Sequence, residues 1–221
     1  MARSYHHRER SSRAMARKKA IKPTYPRMLI VCEGSKTEPG YFDEIRVSER
    51  VTAAHVKVVP SQLGTEPIQV VEYAEQVFRG NNAFDCVFAV FDRDAHLSYN
   101  NALAKLQKID RRYKNDDGKK VPFIAVTSVP CFELWVVLHF RQITHRLTRH
   151  DALEQACRFV PGYAKGMTDL YARTKSALPL AETHALQLGQ MHNPHGGQDP
   201  YTNVTEIMKV FSEIARIRAM S

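Results

Sequence analysis

Two aspartates one residue apart, Asp92 and Asp94, close the segment FDCVFAVFDRD at residues 84–94. Positions 87–91 are apolar without polar alternation, the pattern of a strand buried on both faces of a parallel sheet. Such a strand delivers the aspartates to its carboxyl end. That rim is where open α/β sheets bind ligands, and two carboxylates so placed reach the same hard divalent cation. The spacing equally suits Asp92 as the cap of a turn or helix, with Arg93 screening it. Other acidic strand ends favour the cation. Residues 28–32, MLIVC, are a second uninterrupted apolar run and lead into Glu33 and Gly34, while a third run, VPFIAV at 121–126, is followed by Glu133. Carboxylates gathered at one rim repel each other unless a cation is present. Mg²⁺, or Mn²⁺ in its place, held by one or two carboxylates and several waters, is the usual solution. Glu33, Asp92 and Asp94 are thus the candidate catalytic residues and metal ligands, with Glu133 a carboxylate whose place is still open, and phosphodiester cleavage or transfer is the chemistry they suit.

The elements needed to place these acids are legible in order. The strand at 28–32 is followed by a helix from Thr37, with Thr37 as candidate cap and Pro39 in the first turn. Glu38 there suits the helix dipole as well as it suits a metal. A short strand, HVKVVP at 55–60, precedes a helix opened by Pro67 and stopped by Gly80, with Ile68, Val71, Ala74 and Phe78 at helical spacing. Beyond the aspartate strand, Ser98 is the candidate cap of a helix that the Asn115–Gly118 turn ends. The strand at 121–126 comes next, and then a helix from Cys131 with Phe132, Trp135, Val136 and Phe140 on its apolar face. Glu133 falls off that face, toward the acidic rim or solvent. His139 reads as a core or surface histidine before a catalyst. Alternating strands and helices predict a parallel sheet with helices on its faces. After Arg141 the strand pattern gives way to helices, with Pro179 breaking the middle pair. The expected organisation is a basic arm at 1–26, an α/β core at 27–140 and a helical extension at 141–221 packed on the core. His192 and His195 are spaced like half a metal site but lack partner ligands.

Composition narrows the class. The chain has 221 residues, 43% hydrophobic and 25% charged, which suits a soluble globular protein. It contains no long uncharged apolar run, and residues 1–20 lack the apolar block of a secretory signal. Its four cysteines, Cys32, Cys86, Cys131 and Cys157, include no CxxC pair. Reduced thiols and a cytoplasmic location are expected, not a disulfide or zinc framework. Of the formal net charge of +9, residues 1–22 contribute eight basic side chains against Glu9. A basic, serine-containing and aromatic-poor arm of this kind is expected to be disordered in isolation. It suits salt-sensitive contact with a phosphate backbone, or else solubility or docking on an acidic partner.

Three groups of residues, taken in order, resemble the RloB-like proteins. They are EGSKTE at 33–38, FDRD at 91–94, and SVPCFELW at 128–135 with His139 and Phe140. Asp199 to Val204, with Tyr163 and Lys165, is a weaker echo. The resemblance implies a TOPRIM-like α/β fold, the metal-binding module of topoisomerases, primases and overcoming-lysogenization-defect nucleases. It places Glu33 as general acid/base or metal ligand, Asp92 and Asp94 as the metal-binding pair, and Glu133 as a further acid. It also implies an AAA or ABC-type ATPase partner in phage-defence and abortive-infection loci. Val129 stands where the family often has Asn, and Asp199 and Tyr201 replace commoner Asn and Ser, departures that bear on substrate choice. The leading expectation is a Mg²⁺-dependent nuclease acting on RNA, such as tRNA, or DNA through an activated water. No tyrosine is placed as a nucleophile. The alternatives are a non-catalytic nucleic-acid-binding subunit regulating the ATPase, or a nucleotidyl or phosphoryl transferase. Aspartate-nucleophile phosphatases fit less well, since they place the pair on the first strand and follow it with Thr or Val where this chain has His96.

Overall fold

The computed structural model describes residues 25–93, 96–194 and 200–220. The basic arm before Tyr25, Asp94, His195 and Asp199 therefore lie outside the described residues. In chain order the elements are β1 (Met28–Cys32), α1 (Thr37–Ser48), β2 (Val56–Pro60), α2 (Pro67–Gly80), β3 (Cys86–Asp92), α3 (Tyr99–Ile109), β4 (Phe123–Val129), α4 (Glu133–Leu138), α5 (Arg149–Phe159), α6 (Leu170–Thr174), α7 (Leu178–Met191), β5 (Tyr201–Thr202) and α8 (Thr205–Ala219). The sheet order is β2-β1-β3-β4-β5, parallel except for the last pair.

Alternation along the strands divides the apolar residues between two cores, because successive side chains point to opposite faces. Leu29, Val31, Val87, Ala89 and Phe91 pack with α2 and α3, whereas Met28, Ile30, Cys32, Phe88 and Val90 pack with α1 and the helices after β4. The first connection thus lies on one face and the next two on the other. Strand order reverses between β1 and β3, and a crevice opens there at the carboxyl ends. Cys32 pairs with Val90 in the register. The residues that follow each strand, Glu33 and Asp92, are consequently neighbours.

Several local expectations give way to longer-range bonding. Lys36, not Thr37, is the cap residue of α1, and Thr37 Oγ1 instead accepts from the Gly166 N–H at 3.1 Å. Ser98 makes no capping bond; its hydroxyl donates to Glu66 Oε2 at 2.6 Å. Helix α3 stops at Ile109, well before the Asn115 turn, where the Asp110 carboxylate takes the Phe123 N–H at 3.0 Å. Pro179 lies in the first turn of α7, opening the helix. Strand β5, only two residues long, has no strand pattern in the sequence. It holds the β4 edge through Ser128 and Val129, and Asn203 extends the seam, its Oδ1 accepting from Thr127 N at 2.7 Å and its Nδ2 donating to Ala125 O at 2.8 Å. Every residue of α4 is buried, so Glu133 does not face solvent. Phe140, expected on the apolar face, lies half-exposed beyond the helix and stacks on Phe159 with ring centroids 5.3 Å apart. All four cysteines are free thiols, three of them buried. No helix of the described residues is long and apolar enough to cross a membrane.

Candidate active site: an acidic cleft at the switch point

The crevice between β1 and β3 is a cleft bordered by four carboxylates, Glu33, Glu38, Asp92 and Glu133. Glu33 leaves β1 with its N–H donating to Val90 O at 2.8 Å. Its side chain folds back so that Oε2 accepts the Asp92 N–H at 2.9 Å, and Oε1 lies 3.3 Å from His96 Nε2. Asp92 ends β3 beside it. Glu38 arrives from the first turn of α1 and is 9% exposed. Gly34 leaves room for this approach, since a Cβ at that position would overlap the Glu38 carboxylate as it stands and displace it. Glu133 enters from the start of α4, 3% exposed, and accepts the Tyr163 hydroxyl at 3.1 Å.

Burial and crowding raise the proton affinity of Asp92, Glu38 and Glu33. Burial, followed by the charges of Glu38, Glu33 and Glu133, pushes the Asp92 carboxyl well above the usual carboxylate range. Burial lifts Glu38 to about 7, with Glu33 and Glu133 adding to the rise and Lys165 opposing it. Glu33 is also raised by burial, against the pull of the Asp92 amide, His96 and Arg149. The Tyr163 phenol, buried against Glu133, is pushed up as well.

Cations border the same cleft: Lys36 from the turn after β1, Arg149 from the start of α5 and Lys165 from the loop at 161–167. That loop is fastened to the cleft by Tyr163 on Glu133 and by Gly166 on Thr37. Gly166 has φ +85°, a conformation that favours glycine, and a Cβ there would crowd the Lys36 side chain. Glu33, Asp92 and Glu133 thus stand together, as their strand ends lead one to expect, while Asp94 lies outside the described residues. Glu38 is the acid left ambiguous in the sequence, because dipole complementarity and cleft lining call for the same residue at the same helix start. Lys165 comes from a loop remote in sequence from Glu33 and Glu38, and apart from the weaker family echo nothing in the sequence ties it to the acids.

The donor set is all carboxylate oxygen, which suits a hard cation such as Mg²⁺ or Mn²⁺ and disfavours a soft one. Among the described residues no three of these acids bring ligand atoms within 4.8 Å of one another; the group that does is the exposed His150, Asp151 and Glu154. There Asp151 is already engaged, accepting from the Thr148 amide and hydroxyl at the head of α5. The wider spacing in the cleft fits an ion that keeps several of its waters.

Fold and cleft together define an α/β protein with a mostly parallel sheet and an acidic pocket at its topological switch point. The family model described as RloB-like protein matches residues 28–211, and the chain belongs to that family. No curated protein and no solved structure matches it.

Proposed function

We propose that the protein is a divalent-cation-dependent nuclease, of the TOPRIM type its motifs resemble, acting beside an ATPase partner in phage defence. The observation that carries this reading is the convergence of Glu33, Glu38, Asp92 and Glu133 on one cleft that also presents Lys36, Lys165 and Arg149. Acids alone would suit a structural ion. Acids rimmed by cations suit a cation together with a polyanionic substrate.

Glu33 and Asp92 would hold the ion, with Asp94 the further ligand expected from the sequence. Mg²⁺ or Mn²⁺ bound there would supply charge neutralisation at a phosphoryl oxygen and a water of lowered pKa. The protein's own groups do the rest. Lys36, Lys165 and Arg149 hold the phosphate backbone at the cleft mouth. Glu38, raised in proton affinity first by burial and then by its acidic neighbours, can take up a proton released during cleavage. Tyr163 fixes the Glu133 carboxylate, and the buried walls limit access by bulk water.

The test uses the full-length chain, alone and with its ATPase partner, against panels of single-stranded and structured RNA and DNA in Mg²⁺ or Mn²⁺. Cleavage is expected with the cation and not in EDTA. Asp92→Asn and Glu33→Gln should each reduce it by more than about 100-fold while the circular dichroism spectrum stays unchanged. Wild-type protein inert on every panel, or an Asp92→Asn variant as active as wild type, would end the proposal.

A further inference from the structure

His96 stands between two carboxylates on different elements. Its Nε2 lies 3.3 Å from Glu33 Oε1 and its Nδ1 lies 3.1 Å from Glu66 Oε1. Glu66 is itself braced. Its second oxygen accepts the Ser98 hydroxyl at 2.6 Å, and its backbone N–H donates to Gln69 Oε1 at 3.2 Å, at the head of α2. The result is a chain of contacts from Glu66, about half exposed, through His96 to Glu33, whose side chain is 15% exposed. Glu33 is then restrained at both oxygens, Oε2 by the Asp92 amide and Oε1 by the imidazole.

A surface staple joining the loop after β3 to α2 would explain the Glu66 contact. It would not require the ring's other nitrogen to meet a carboxylate inside the acidic cleft. A carboxylate with one contact swings about its last side-chain bond, whereas one held at both oxygens keeps its free lone pairs in a fixed direction. Partners of this kind orient metal ligands in many proteins, and losing one typically weakens metal binding by about 10- to 100-fold.

We infer that His96 is a positioning residue for Glu33, and that Glu66 with Ser98 is the brace that holds His96 in place. The inference rests on the cation-dependent reading above and extends the site outward from the sheet rim to the head of α2. His96 acts on the ion through Glu33 and does not ligate it.

The experiment is Mn²⁺ titration calorimetry on the full-length protein, with melting temperatures taken in EDTA and Mn²⁺ electron paramagnetic resonance. His96→Ala should weaken Mn²⁺ binding about tenfold at an unchanged EDTA melting temperature, and His96→Gln, which keeps one N–H donor, should restore most of it. Glu66→Ala should weaken binding less, and adding it to His96→Ala should cost nothing further, because its effect passes through the ring. In the cleavage assay the His96→Ala loss should fall on kcat and leave KM for oligonucleotide unchanged. Mn²⁺ affinity in His96→Ala equal to wild type would overturn the inference, as would a histidine nitrogen coupling on Mn²⁺ that His96→Ala removes. Wild-type protein that binds no Mn²⁺ would overturn the underlying reading instead, which keeps the two failures apart.

Discussion

At the scale of single residues, the cleft carries an electrostatic cost that a bound cation would offset. Glu38 has a folded-state value of about 7 against an ordinary 4.5. A carboxyl raised on folding stabilises the protein while protonated: the contribution is full below 4.5 and is lost as pH rises through 7. At pH 8 without divalent cation Glu38 is therefore a destabilising charge, pressed between burial and two other acids. Glu38→Gln keeps the shape and removes the charge. It is expected to stabilise the apo protein at pH 8 by about 1–3 kcal/mol, with the gain vanishing near pH 4.5. Urea unfolding in EDTA at the two pH values checks this, and saturating Mg²⁺ should shrink the gain at pH 8. A variant no more stable than wild type at pH 8 would mean that Glu38 is not strained by its neighbours.

At the scale of elements, the acids stand where they do because strands end where they do. β1 was legible to the residue, since MLIVC is an apolar block with nothing polar inside and an acid and a glycine after it. β3 was legible for the same reason. The family resemblance rested on these strand ends and on the SVPCFELW segment. What was not legible depends on distant partners: the Thr37 hydroxyl goes to Gly166, Ser98 goes to Glu66, and the two-residue β5 has too few positions to show a period. Asn203 is the clearest case. In sequence it is one polar residue ahead of a helix, yet its amide satisfies both an N–H and a carbonyl of β4. Asn203→Ala should destabilise by about 2 kcal/mol, two modest bonds plus the cost of leaving strand groups unpaired. Asn203→Asp can still accept from Thr127, but its second carboxylate oxygen would face the Ala125 carbonyl, acceptor against acceptor, so its loss should be at least as large. Chemical denaturation of both variants tests the order, and an Asn203→Ala midpoint equal to wild type would show that β5 alone holds that edge.

At the scale of the whole molecule, two buried groups make stability respond to acid in opposite senses. His139 is 1% exposed, packed edge-on against Trp135 at 5.0 Å between ring centroids, and its Nδ1 lies 2.9 Å from Trp135 O. Its Nε2 has no hydrogen-bond partner among the described residues. Burial therefore holds the ring neutral, lowering it from 6.5 to about 4. A base lowered on folding contributes stability fully above 6.5 and loses it as pH falls through 4, the reverse of Glu38. The wild-type profile between these limits combines a cleft that gains from protons with a core that suffers from them. Variants separate the two. His139→Asn retains a donor for Trp135 O and no titrating ring, so it should be less stable than wild type at pH 7. The gap should narrow by up to about 3 kcal/mol on going to pH 4. Unfolding midpoints measured in EDTA at half-unit steps decide it. A gap constant across that range would mean that the ring is protonated alike in the folded and unfolded chain, and that the core around α4 admits water where the structure shows none of its residues exposed.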